Sequence, residues 1–311
     1  MEGNINDYAK EVAAHVKDYL PEEYGEGIVG ETRKGRTLVI GITVRRADGS
    51  FTFPRPVILF YKSGITPSEA AKLIAADILS GAEDEQREQS RISLLLQDYE
   101  ACRDKIFLRV FSTDGDIMVP KPSRSVAPWL SAICYVAVES VCDENVLFPV
   151  NVSTDILTLW GKSFDEVYAV AQENMKRVYT CMRMREALIK NAKAYARTLD
   201  MSQEEQNRYV MAAMIKFQDI PIYVLSAGLF GAGAIAVPEI LSEVSRTIMD
   251  WCGFYIIPSS TEELLLIPLW YGMSTEEMKE TIRDTNVKTV DPTKQLSDRL
   301  YLYKSGELLL A

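Results

Sequence analysis

The chain has 311 residues, 47% apolar and 25% charged, with a net charge of −10. This balance excludes a disordered chain and is enough for a sizeable core, in one large domain or two medium ones. The negative charge opposes general nucleic-acid affinity, which rests on lysine and arginine displacing counterions from phosphate.

The first residues, Met1-Glu2-Gly3-Asn4, lack the basic and then apolar pattern of an export signal. No later run approaches the roughly 18 apolar residues that a membrane helix needs. Cys102, Cys134, Cys142, Cys181 and Cys252 are scattered among apolar neighbours, the usage of a reducing compartment without disulfides. These features predict a cytoplasmic protein.

In chain order, an opening helix is read from Tyr8, Val12, Val16 and Tyr19 on one face, ending before Pro21. Strands are predicted at 37–46 and 51–61, with Asp48-Gly49 as the hairpin turn between them. Thr66 with Glu69 forms a capping box, Pro67 suits the first helical position, and Gly81 marks the C-cap. The acidic Glu83-Asp84-Glu85-Gln86-Arg87-Glu88 then reads as a solvated connection.

Further strands are expected at 105–111, 130–139 and 146–152. Ser163 with Glu166 opens a long helix over 164–198, and Ser202 with Glu205 opens another over 203–217. Strands at 221–225 and 232–237 flank a glycine-rich hairpin loop containing Gly228, Gly231 and Gly233. A helix at 238–251, strands at 254–257 and 263–268, a helix at 275–286 capped by Ser274 and Glu277, and a hairpin around Lys304-Ser305-Gly306 complete the chain.

Strands grouped between single helices favour an α+β fold of mostly antiparallel sheets, with helices packed on one side. We expect two lobes, 1–100 and 101–311.

Familiar catalytic signatures are missing. With no Cys-x-x-Cys and only His15 as an imidazole, zinc sites and histidine-based nucleophilic catalysis lack their residues. His15 reads instead as a partly buried member of the opening helix. Gly161-Lys162-Ser163 ends like a phosphate-binding loop, but Ile156 stands where its first glycine is required. No metal or cofactor is predicted.

The segment 176–197 carries seven cations against Glu186 alone, a net of +6, so the remainder carries −16. Lys176, Arg183, Lys190 and Arg197 recur every seven residues and would form one stripe on a continuous helix. The stripe is either a solvated face or a docking surface for an anionic partner. Asn174, Gly228, Gly231, Ser259 and Ser260 are the ligand-pocket candidates, with Glu262 as an accompanying carboxylate.

Three patterns carry a resemblance: Asp155-Ile-Leu-Thr-Leu-Trp160-Gly161 followed by Glu166 and Asn174; Ile222-Tyr223-Val224-Leu225-Ser226 with Leu229-Phe230-Gly231-Ala232; and Phe254-Tyr255-Ile256-Ile257-Pro258-Ser259-Ser260. With Leu296-Ser297-Asp298-Arg299-Leu300-Tyr301, they resemble an uncharacterised domain-of-unknown-function family of Gram-positive gut bacteria, often encoded near mobile-element genes. The resemblance implies the α+β class and no activity. The leading functional expectation is a non-enzymatic intracellular protein that binds another protein. The alternatives are an enzyme with a carboxylate and serine pocket, and an anion or nucleic-acid binder that uses 176–197.

Overall fold

The computed structural model describes residues 4–34, 37–114, 119–140, 147–198, 202–216, 221–258, 260–288, 290–291 and 293–311. They form an α+β fold with antiparallel sheets, in two units: Met1–Asp98 with Glu139–Val146, and Tyr99–Val138 with Leu147–Ala311.

In the first unit, helix α1 (Ile5–Val16) buries Tyr8, Val12 and Val16, with Ala9 and Ala13 between them, as a helical repeat requires. It lies on strand β1 (Tyr24–Lys34), which pairs antiparallel with β2 (Thr37–Arg46); β2 in turn pairs with the short β3 (Arg55–Pro56). Gly27 allows the close approach of helix to strand, since a Cβ there would lie 2.6 Å from the carbonyl oxygen of Ala13. In β2, Ile40, Ile42 and Val44 are buried at alternate positions and meet Ala70, Ile74 and Ile78 of α3 (Pro67–Leu96) in one core. Each large aliphatic in that core contributes about 1.5–3 kcal/mol by leaving water.

The opening helix, the strand at 37–46 and the Thr66–Glu69 capping box are as expected. Three readings in this unit are corrected. His15 is exposed, with Nδ1 3.5 Å from the Asp18 carboxylate. Strand 51–61 is reduced to β3, because Pro54 and Pro56 bring no N–H to a ladder, and Ile58–Lys62 is a short helix, α2.

The third correction is larger. Helix α3 runs straight through Gly81 for 30 residues, about 45 Å at 1.5 Å per residue. The acidic stretch therefore lies on a helix, where Glu85 and Glu88 are buried. Gly81 costs about 1 kcal/mol relative to alanine in mid-helix. Downstream, the Glu85 carboxylate holds the helix by accepting from Arg55 at 3.0 Å and from the Phe53 N–H, with Arg46 at 3.5 Å. A tertiary charge network thus outweighs a local stop signal.

The second unit begins with α4 (Tyr99–Arg103) and β4 (Ile106–Ser112). A second sheet runs in the order β4, β6 (Leu130–Glu139), β5 (Arg124–Ala127), and β7 (Leu147–Asn151) also pairs with β6. Helix α5 (Thr154–Trp160) ends at Gly161, whose φ of +61° supplies the left-handed cap. Helix α6 (Phe164–Val178) starts at the Ser163–Glu166 capping box and packs Val167, Ala171 and Met175 toward β4.

Here the long helix expected over 164–198 breaks. Tyr179–Arg183 is strand β8, at the edge of a third sheet, and helix resumes as α7 (Met184–Thr198), followed by α8 (Gln203–Lys216). The aromatic and β-branched Tyr179 and Thr180 suit a strand, and β8 pairs from Tyr179 with Ala227 to Arg183 with Tyr223. The third sheet runs β13 (Glu307–Leu310), β12 (Tyr301–Lys304), β10 (Phe254–Ile257), β11 (Leu264–Pro268), β9 (Tyr223–Ala227), β8.

Segment 232–237 is not a strand. Gly231–Ala236 forms a 3-10 turn leading into α9 (Pro238–Thr247), with Ala232, Ala234, Ile235 and Ala236 buried. The cause is proximity: a Cβ on Gly231 would collide with the Glu262 carbonyl and Ser226 Oγ, and one on Gly233 with the Leu108 carbonyl. Only a run of very small residues fits between the second and third sheets. Helix α10 (Thr275–Lys288) and the terminal hairpin are as expected.

Candidate functional site

The break at β8 takes apart the seven-residue stripe. Lys176, at the end of α6, pairs with Glu173 at 2.6 Å, a bond that raises its pKa. Arg183 ends β8 with its guanidinium 6.0 Å from the Tyr223 ring. Only Lys190 and Arg197 share a helix, α7, and there Lys193 joins them. The 3- and 4-residue intervals from Lys190 to Lys193 to Arg197 place all three on one face.

All three are exposed, and none has an ion-pair partner among the described residues. By contrast, Arg177 lies 3.5 Å from Asp104 and donates to Asn174. Helices α7 and α8 pack as a hairpin around buried Ala196 and Val210. Lys193 and Arg197 line a groove of about 380 Å³ between the helices, with Gln206, Asn207 and Met211 opposite. Tyr195 and Tyr209 stand beside each other with ring centroids 6.1 Å apart, both well exposed. The hairpin thus offers three cations without ion-pair partners among the described residues on one face of α7, and an exposed tyrosine pair on another.

Of the pocket candidates, Gly231 lies against Glu262, whose N–H bonds Ser260, while Asn174 is engaged with other partners. Asn174 is buried, and its amide donates to the carbonyls of Arg103 at 2.7 Å and Ile106 at 2.8 Å while its oxygen accepts from Arg177. It ties α6 to the turn between α4 and β4, and all of its bonding capacity faces protein. Ser260 accepts from the Glu262 N–H at 3.0 Å, in a turn bridged to Gln295. The Glu262 carboxylate pairs with Lys294 at 2.7 Å. Ser259 lies outside the described residues.

Gly228 and Gly231 have separate roles. Gly228, with φ of +70°, turns the chain over Tyr135, whose hydroxyl would lie 3.7 Å from a Cβ placed there. Gly231 begins the packed 3-10 turn. The residue that the sequence reading missed is Arg109 of β4. Phe107-Leu-Arg109-Val-Phe111 alternates so that both aromatics flank Arg109 on one strand face, a legible signal. The third ring, Phe230, is remote in sequence.

Among the described residues there is no group of three or more His, Cys, Asp and Glu side chains suited to hold a metal ion. No described helix is long and apolar enough to cross a membrane.

Residues 5–305 match the model of DUF5688, a family of unknown function. The chain belongs to this family. In this DUF5688 chain the match spans both units. No curated protein and no solved structure matches it.

Proposed function

We propose that this DUF5688 protein is a non-enzymatic binding protein that docks an acidic segment of another protein on the α7–α8 hairpin. The observation that carries this reading is the row Lys190, Lys193 and Arg197, exposed on one face without an ion-pair partner among the described residues. Earlier in the same basic segment, Lys176 pairs with Glu173 and Arg177 with Asp104. Arg197 and Met211, which line one groove, are of residue types enriched at protein-binding surfaces. The chain's charge of −10 favours a compact acidic segment, met locally by the hairpin, over a long polyphosphate that would also run along acidic surface.

The test uses fluorescence anisotropy with a labelled oligoglutamate peptide and, separately, a labelled DNA duplex. The peptide should bind wild type and weaken about tenfold or more in the double variant Lys190→Glu/Arg197→Glu. Equal peptide binding by wild type and variant refutes the reading. Tighter binding of the duplex than of the peptide replaces the protein partner with a nucleic acid.

A further inference from the structure

Arg109 on β4 holds its guanidinium against two rings, 4.6 Å from the Phe111 centroid and 4.0 Å from the Phe230 centroid. Stacking leaves only the planar N–H edge for bonding. Its Nε is buried and has no acceptor, and no carboxylate pairs with Arg109 among the described residues. Burial lowers its pKa to about 10, with Tyr135 the one ionisable neighbour acting against that shift. The group therefore stays cationic at neutral pH.

A second unsatisfied donor stands next to it. The Tyr135 ring packs edge-on against the same Phe230 at 5.2 Å; the backbone N–H groups of Leu229 and Phe230 face its hydroxyl oxygen, while its buried O–H finds no acceptor. Burial raises that hydroxyl to about 12, so it remains protonated and able to donate. Phe107 flanks Tyr135 at 6.1 Å, and the exposed Gly228-Leu229 turn passes over the group. Buried polar atoms are ordinarily bonded, and in the half-buried Arg109 it is the Nε–H that is shielded from water without an acceptor. Two such donors around one ring describe a site shaped for an acceptor that the chain does not supply.

We propose that Arg109 and Tyr135 bind the carboxylate of a small ligand whose apolar body rests against Phe107, Phe111 and Phe230. A planar carboxylate matches the guanidinium edge. One guanidinium balances one negative charge, whereas a phosphate dianion would bring a second charge with no cation to meet it. This site is separate from the α7–α8 hairpin and does not depend on the function proposed for it.

Benzoate and inorganic phosphate at equal ionic strength serve as probes, read by the thermal midpoint and by the Arg109 Nε–H resonance in ¹H–¹⁵N spectra. Benzoate should raise the midpoint of wild type and shift that resonance. Tyr135→Phe should weaken benzoate about tenfold, the loss of one hydrogen bond to a charged group. Arg109→Met should abolish the response and leave the ligand-free midpoint nearly unchanged, because an apolar side chain of similar length keeps the contact with the two rings. A purely structural stack would instead lose stability in Arg109→Met. That loss, or the absence of a benzoate response in wild type, overturns the proposal, as does a phosphate response equal to that of benzoate.

Discussion

Two charged stretches of this chain behave in opposite ways. The acidic run at 83–88 has the composition of a solvated connector, yet Glu85 is 5% exposed and meets Arg46 and Arg55 inside the first unit. The basic run at 176–197 has the spacing of a continuous helical stripe, yet it is divided among α6, β8 and α7, and its last three cations face solvent. A run of charge therefore does not disclose whether the charge is satisfied. That depends on where opposite charges arrive in three dimensions: Arg46 and Arg55 come from β2 and β3 to meet α3, and nothing described comes to meet α7.

The contrast is broken most directly at Glu85. Replacing it with Ala leaves the largely buried Arg46 without a carboxylate and Arg55 with only the exposed Asp77, a change that costs about 3–5 kcal/mol when one partner of a buried pair is removed. Urea unfolding should show this loss, and hydrogen exchange should speed up at the Phe53 amide, which donates to the same carboxylate. A change below about 1 kcal/mol would mean that Glu85 is as solvated as its neighbours in sequence suggest. Next in size is Asn174→Ala, where the carbonyls of Arg103 and Ile106 lose their side-chain donor. Loss of a buried partner of this kind costs about 1–3 kcal/mol. Stability unchanged by this substitution would free Asn174 from its structural role and return it to the pocket candidates.

The legible features of this fold are those written within a few residues. All four capping boxes form, because the Ser or Thr and its Glu lie three residues apart and need no tertiary help: Thr66–Glu69, Ser163–Glu166, Ser202–Glu205 and Ser274–Glu277. Family membership was likewise readable from local motifs. The misread features depend on distant partners. Gly81 resembles a cap until Glu85 engages Arg46 and Arg55; Tyr179–Arg183 resembles helix until β9 offers a ladder; Gly231–Ala236 resembles strand until Ser226, Leu108 and Glu262 close around it. Asn174 reads from the sequence as a tie to a loop backbone or as a ligand-binding amide, and its carbonyl partners, 68 and 71 residues away, are ones no local pattern discloses. Arg109 went unnoticed for the same reason, since Phe230 completes its clamp from far along the chain.

The smallest expected effect sharpens the comparison from the other side. Lys190 is exposed and unpaired among the described residues, so Lys190→Glu breaks no ion pair and buries nothing. On α7 the new carboxylate would face Glu186 one turn earlier, a mild repulsion, and Lys193 three residues later, a mild attraction, each worth about 0.2–0.5 kcal/mol. These oppose each other, and the net change in stability should stay within about 0.5 kcal/mol at moderate salt. The same reversal made inside a satisfied network, as at Arg55, would place a carboxylate against Glu85 and destabilise the first unit severely. Parallel unfolding curves for Lys190→Glu and Arg55→Glu therefore separate a charge held for the fold from one left free of it. If Lys190→Glu lowers stability as Arg55→Glu does, the cations of α7 are structural, and the docking role assigned to the hairpin falls with their freedom.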